Sequence, residues 1–293
     1  MSKESKKNIV FFGTSLISVE VFKTLSSRGI RPIFLVTTPD MPQGRHMRLT
    51  ASPAKEWAIN NGIEILQPAK LKTPPFADIL KEHAPKEGYD VFIVASYGKI
   101  IPREILELPK HGVLNVHPSL LPKYRGPSPI PSQILADDKE VGVTIMQMDE
   151  KMDEGPIVAI KSLSIDTWPT TNELKTTLGE LGANMIADLL PDWIEGKIKP
   201  NPQDHDKASY TKKFEKSDGE IVLTGDPYKN YIKFQALKDM TSVFFFKNPL
   251  EKTGRVKITD ASYKDGEFII ENVIPEGKKE MTYATYLNNK RLT

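Results

Sequence analysis

From Asn8 to His117 the chain alternates short runs that are apolar at nearly every position with longer stretches whose apolar residues recur every three or four. "NIVFFG" predicts a buried strand, and "SVEVFKTLSSRG" a helix closed by Gly29. "IRPIFLVTT", "IEIL", "YDVFIVAS" and "GVLNVH" predict further strands. Between them "SPAKEWAINNG", with Pro53 in its first turn, "FADILKEHA" and "REILELPKHG" predict helices. Strands without a polar face, separated by helices, predict a mostly parallel sheet covered on both sides, an α/β domain of Rossmann-like type. Such a sheet places its active site at the carboxyl ends of its strands, near the point where strand order reverses.

After Ile130 the pattern changes. "VGVTIMQMD" alternates, "GPIVAIKSLSI" can pair with it antiparallel, and "TNELKTTLGELGANMIADLLPDWIEG" predicts a long helix. The polar, proline-bearing "KIKPNPQDHDKASY" reads as a linker. Beyond it, "GEIVL", "SVFFF", "GRVKITDASY" and "GEFIIENV" predict a small, mostly β domain, a barrel or sandwich of OB-like type. The expected organisation is a catalytic domain over residues 1–195, a linker over 196–208 and a C-terminal domain over 209–293.

Composition narrows the chemistry more than the fold. With 39% hydrophobic and 27% charged residues, the 293-residue chain can bury a sizeable core. A net charge of +2, with an excess of three basic residues from His205 onward, announces no nucleic-acid or membrane partner. The absence of cysteine excludes disulfides, thiolate nucleophiles and Cys-ligated metal. Five histidines without a paired spacing argue for no metal. The run Ile9 to Phe12 is too short for a signal peptide and no apolar run approaches a membrane span, so a cytoplasmic protein with no membrane partner is expected. "FFGTS" carries Gly13 alone rather than G-x-G-x-x-G, which reads as a tight turn; there is no Walker A pattern, and no G-x-S-x-G surrounds Ser119.

"GVLNVHPSLLPKYRGPSPI" holds the informative pattern. Asn115 and His117 are one residue apart, so on a strand they share a face, and at a carboxyl strand end that face opens into the active-site crevice. A proline-rich turn follows, a rigid scaffold for polar groups. A second turn, "MDEKMDEGP", offers Asp149, Glu150, Asp153 and Glu154, of which one can face the imidazole. An amide, an imidazole and a carboxylate without a Ser or Cys nucleophile suit acyl transfer to an amine, because the amine is itself the nucleophile. Asn115 can donate to the developing oxyanion, and His117 can donate to the same oxygen and move a proton. Asp153 can orient the ring.

These residues carry a resemblance. "NVHPSLLPKYRGPSPI" followed by "MDEKMDEGP", with "FFGTS", "VASYGKIIP" and "YTKKFEKSDGEI" in the same order, resembles the 10-formyltetrahydrofolate-dependent formyltransferases over essentially the whole chain. Within that family it is most similar to the branch that acts on charged initiator tRNA. The resemblance implies that Asn115, His117 and Asp153 are catalytic and that Ser119, Leu120, Leu121 and Pro122 contact the folate. It implies transfer of the formyl group of 10-formyltetrahydrofolate to the α-amine of initiator methionyl-tRNA, by a monomer that needs no metal. An amino sugar or another small amine is the alternative acceptor.

Two segments favour tRNA. The long loop "TTPDMPQGRHMRLTASPAK" resembles the insertion that reads the acceptor end, which assigns Arg45, and with it Arg48, to tRNA contact. The C-terminal domain adds Lys212 and Lys213, with Lys238, Lys247 and Arg255 as further phosphate contacts. Three places depart from the family pattern: Ser15 where Pro is common, Pro118 where Gly or Ala is usual in the tRNA branch, and "LKDMTSVFFF" with a short tail in place of an F-N-P-W-P-like stretch.

Overall fold

The computed structural model describes residues 7–43, 47–72 and 76–290. Arg45 lies outside them. In chain order the first elements are β1 (Ile9–Gly13), α1 (Leu16–Ser27), β2 (Phe34–Val36), β3 (Met41–Gln43), β4 (Arg48–Thr50) and α2 (Pro53–Asn60). Next come β5 (Glu64–Leu66), α3 (Phe76–Glu82), β6 (Val91–Ala95), α4 (Arg103–Leu106), β7 (Val113–His117) and α5 (Pro129–Leu135). They are followed by β8 (Glu140–Gln147), β9 (Ile157–Ser164), α6 (Thr171–Ile194) and α7 (Pro227–Leu237). The last are β10 (Phe244–Asn248), β11 (Thr253–Lys264), β12 (Glu267–Pro275), β13 (Met281–Thr282) and α8 (Tyr283–Lys290).

The chain forms two compact units. The first comprises residues 1–127, 141–163 and 175–210. Its seven-stranded sheet has the order β5-β2-β1-β6-β7-β8-β9. Pairing is parallel from β5 through β7 and antiparallel between β7 and β8. Strand order reverses between β1 and β6, so the crevice of this unit opens at the carboxyl ends of those strands and of β7 beside them. Every residue of β1, β6 and β7 is buried, as strands covered on both faces require.

One face carries Val10, Phe12, Phe34, Val36, Phe92, Val94 and Val113 against Phe76, Leu80 and Ile105 of α3 and α4. On the other, Phe11 stacks on Phe22 of α1 with ring centroids 4.5 Å apart. Gly13 serves this contact. A Cβ there would stand 2.6 Å from the Phe22 ring and 2.7 Å from Ser18 Cβ, so a larger residue would push α1 off the strand it follows. Close packing of helix on strand, rather than a positive φ, is thus what Gly13 permits. The loop after β2 is not wholly irregular, since β3 and β4 pair antiparallel with Met41 opposite Thr50.

The second unit comprises residues 128–140, 164–174 and 211–293. Its antiparallel sheet runs β10-β11-β12-β13. Buried Phe234, Leu237, Val243, Phe245, Val256, Ile258 and Val273 form its interior, where α7 packs on β11, β12 and α5.

Candidate active site

Asn115 and His117 follow Val113 on one face of β7, beyond the point where the apolar cluster on that face ends. Val116, on the opposite face, packs against Gly182 of α6. The alternation that buries Val116 therefore turns the amide and the imidazole toward the strand-end crevice. Both are nearly enclosed, Asn115 at 8% and His117 at 4% exposure. Asn115 makes no side-chain hydrogen bond among the described residues, which leaves its amide N–H groups available to a substrate.

The turn after β7 is braced from below. Thr144 of β8 stands opposite His117 in register. Its hydroxyl donates to Ser119 O at 2.7 Å and accepts from Leu121 N at 3.0 Å. Ser119 Oγ donates to Lys123 O at 2.8 Å, closing the turn on itself. Ser119 and Leu121 are thereby buried, while Leu120 and Pro122 remain partly exposed. Of the four residues expected to contact folate, those two reach solvent.

His117 Nε2 lies 3.1 Å from Tyr124 O. A carbonyl only accepts, so Nε2 carries the hydrogen and Nδ1 faces the other way, toward Asp153. The Nδ1 to Asp153 Oδ1 distance is 3.7 Å, too long for a direct hydrogen bond but close enough for the carboxylate to face the ring. Each ring nitrogen thus faces an oxygen acceptor, and a proton taken up at Nδ1 has a partner. Asp153 Oδ2 accepts the backbone N–H of Gly126 at 2.7 Å, which fixes the carboxylate.

Among the four acids of the second turn, Asp153 is the one that meets His117. Asp149 and Glu150 are exposed, and Asp149 Oδ1 accepts from Lys151 N at 2.9 Å as a turn cap. Glu154 faces Arg125 and Tyr210. Asp153 has φ of +54°, a left-handed conformation unusual for a residue with a Cβ. Gly155 packs so closely on the carbonyl of Gln147 that a Cβ would overlap it.

Arg48 lies exposed in β4, and Lys212 and Lys213 are exposed in the second unit. Lys212 Nζ is 2.8 Å from Asp218 Oδ1 and lies over the Phe214 ring. The inner supports of the site do not figure in the sequence reading. They are the Tyr124 carbonyl, the Gly126 N–H, Thr144, the buried Arg125 and Gln203. Backbone groups leave no residue signature, and Arg125 and Gln203 are of types normally found in solvent.

Comparison with known proteins decides what kind of site this is. Residues 6–190 match the formyl transferase family, and that span holds Asn115, His117 and Asp153. The chain belongs to the formyltransferase family. Two curated relatives extend the match beyond that span. The methionyl-tRNA formyltransferase of Myxococcus xanthus is 34% identical over 98% of this chain and 96% of its own length. That of Dictyoglomus thermophilum is 36% identical over 97% of each. Among solved structures, the methionyl-tRNA formyltransferase from Clostridium thermocellum superposes with a TM-score of 0.59 over 92% of this chain and 98% of its own, at 17% identity, a likeness of fold. The formyltransferase described here thus has relatives that share its whole length, both units included.

Proposed function

We propose that this formyltransferase transfers the formyl group of 10-formyltetrahydrofolate to the α-amine of initiator methionyl-tRNA, acting as a cytoplasmic monomer. The observation that carries the reading is the strand-end cluster of Asn115, His117 and Asp153 in a chain related over its full length to methionyl-tRNA formyltransferases. No helix among the described residues is long and apolar enough to cross a membrane.

In this reading the neutral amine attacks the formyl carbon, and the carbonyl oxygen becomes an oxyanion. The Asn115 amide donates to it, and the His117 Nε2–H turns from the Tyr124 carbonyl to donate to it as well, where burial of both side chains strengthens such donors. One oxyanion donor of this kind contributes about 2.7–4 kcal/mol to lowering the barrier. Asp153 orients His117 while the proton leaving the amine is passed on. The carbon–nitrogen bond to the folate then breaks, and the folate nitrogen regains a proton. The folate lies along residues 119–122. Arg45, Arg48, Lys212 and Lys213 contact the tRNA, and residues 209–293 form its binding domain.

The test is formyl transfer from 10-formyltetrahydrofolate to charged initiator methionyl-tRNA. Wild type is expected to formylate the tRNA. Asn115→Ala and His117→Ala are expected to lose roughly a hundredfold or more in kcat, the effect of removing one oxyanion donor. Arg45→Ala should raise KM for tRNA with kcat less affected. Formylation of amino sugars with no activity on tRNA would overturn the acceptor while leaving the chemistry.

A further inference from the structure

Among the described residues the largest fully buried side chain is Arg125, 1% exposed. Burying a guanidinium costs several kcal/mol unless every N–H finds a partner, and here the partners are present. Nε and Nη2 donate to Gln203 Oε1 at 3.1 and 2.7 Å. Nη2 also meets His205 Nδ1 at 3.1 Å, while Nη1 donates to Tyr210 Oη at 3.0 Å and lies 3.6 Å from Glu154 Oε1. Because a guanidinium only donates, the Gln203 oxygen must be the atom that faces it, and the Gln203 NH2 group points the opposite way. There, both of its hydrogens are used: Nε2 donates to Asp153 O at 2.8 Å and to Gly155 O at 2.7 Å.

One amide therefore clamps the two carbonyls that flank Glu154. The first belongs to the residue held at φ of +54°. The same segment that supplies Arg125 also supplies the Gly126 N–H that fixes the Asp153 carboxylate and the Tyr124 carbonyl that meets His117. Three consecutive residues, 124–126, thus set both members of the imidazole–carboxylate pair, and Gln203 ties the backbone of one of them to the Arg125 side chain. A left-handed residue with a Cβ persists where its surroundings over-determine it.

We propose that Arg125 and Gln203 are positioning residues for Asp153: through the Gln203 amide they hold its strained backbone so that its carboxylate faces His117. The proposal rests on the reading of Asp153 as part of the catalytic cluster. Neither residue touches the reacting atoms.

Gln203→Glu is the discriminating variant. It keeps size and the pairing with Arg125 but replaces both N–H donations with an oxygen facing two carbonyl oxygens. Expected results are a kcat lowered about 10- to 100-fold, KM for both substrates within about threefold of wild type, and a cooperative thermal transition. If Gln203 works through Asp153, the losses do not multiply. Asp153→Asn/Gln203→Glu should then be no slower than Asp153→Asn alone by more than about twofold. Arg125→Lys, which keeps the charge and loses the paired donation to Gln203, is the second variant and should show the same KM-against-kcat pattern.

Multiplying losses in the double variant, or a kcat within twofold of wild type for both Gln203→Glu and Arg125→Lys, would overturn the assignment. Full activity in Asp153→Asn alone would instead remove Asp153 from the catalytic cluster. That outcome takes the positioning proposal with it, and the single variant identifies it without reference to Gln203.

Discussion

Gly155 shows how one side chain, by its absence, sets the site. Its Cα faces the carbonyl of Gln147 at the end of β8, so any Cβ must drive the turn of residues 153–155 away from the sheet. Asp153 is two residues earlier, and its carboxylate reaches His117 across 3.7 Å. Misplacing a catalytic group by about 1 Å can cost roughly a hundredfold in rate. Gly155→Ala is therefore expected to lower kcat by at least about tenfold, equivalent to ~1.4 kcal/mol of barrier. KM for the formyl donor should change less. Steady-state kinetics measures both, and an unchanged kcat would mean that the turn absorbs the methyl group without moving Asp153.

At the scale of elements, the placement of Asn115 and His117 depends on how α6 lies on β7. Gly182 is the contact point. A Cβ there would overlap Val116 Cγ1, with Val143 Cγ1 at 3.1 Å behind it, so the neighbours have little room to give. Two effects of Gly182→Ala oppose each other. Helix propensity favours alanine by about 1 kcal/mol, whereas overpacking a closed core costs about 1–3 kcal/mol. Overlap with a buried β-branched side chain puts the cost toward the upper end, so the expected net effect is a loss of about 1 kcal/mol. Urea unfolding with an unchanged slope would register it, and a rise in midpoint would show that propensity wins. The same displacement tilts the strand end, so kcat should fall with stability.

For the whole molecule, two expectations concern charge. A net charge of +2 supplies almost no general attraction for tRNA, so under the proposed function its affinity rests on individual basic residues such as Arg45, Arg48, Lys212 and Lys213. Phosphate contacts of this kind release counterions. KM for tRNA should rise several-fold between about 50 and 200 mM salt, more steeply than KM for the formyl donor. Equal slopes would argue against cationic recognition.

The second expectation is an alkaline limit. Burial pushes the Tyr89 hydroxyl up to about 12, with the Glu64 carboxylate adding to the effect. Burial also raises Tyr97, whose hydroxyl has no hydrogen-bond partner among the described residues. In the unfolded chain both ionise near pH 10, at about the ordinary tyrosine value. The unfolded state therefore releases these protons first, and the stabilisation, fully present below pH ~10, is lost as pH rises toward 12. Thermal unfolding from pH 8 to 11 should show Tm falling above about pH 10, and Tyr97→Phe should flatten part of that fall. Because Tyr89 Oη donates to Leu80 O at 2.6 Å, Tyr89→Phe should also lower Tm at neutral pH; Tyr97→Phe should not.

Much of this protein was legible in the order of its residues. Runs such as Ile9 to Gly13 and Val91 to Ala95 have no polar face, and only a sheet covered on both sides accommodates them. The spacing of Asn115 and His117 assigns them to one face by the geometry of a strand, and strand ends of a parallel sheet open into a crevice. Those inferences need only local periodicity. Residue type and spacing leave four nearby acids open, and although the family resemblance picks Asp153, the physical reason for it needs the tertiary structure, because the direction of a turn side chain depends on what its backbone is tied to. The ties here are a left-handed φ, the Gly126 N–H and the Gln203 amide from 50 residues away. Burial of Arg125 lies beyond sequence patterns for the same reason: its residue type predicts solvent, and only the convergence of Gln203, Tyr210, His205 and Glu154 around it makes the interior tolerable for its charge.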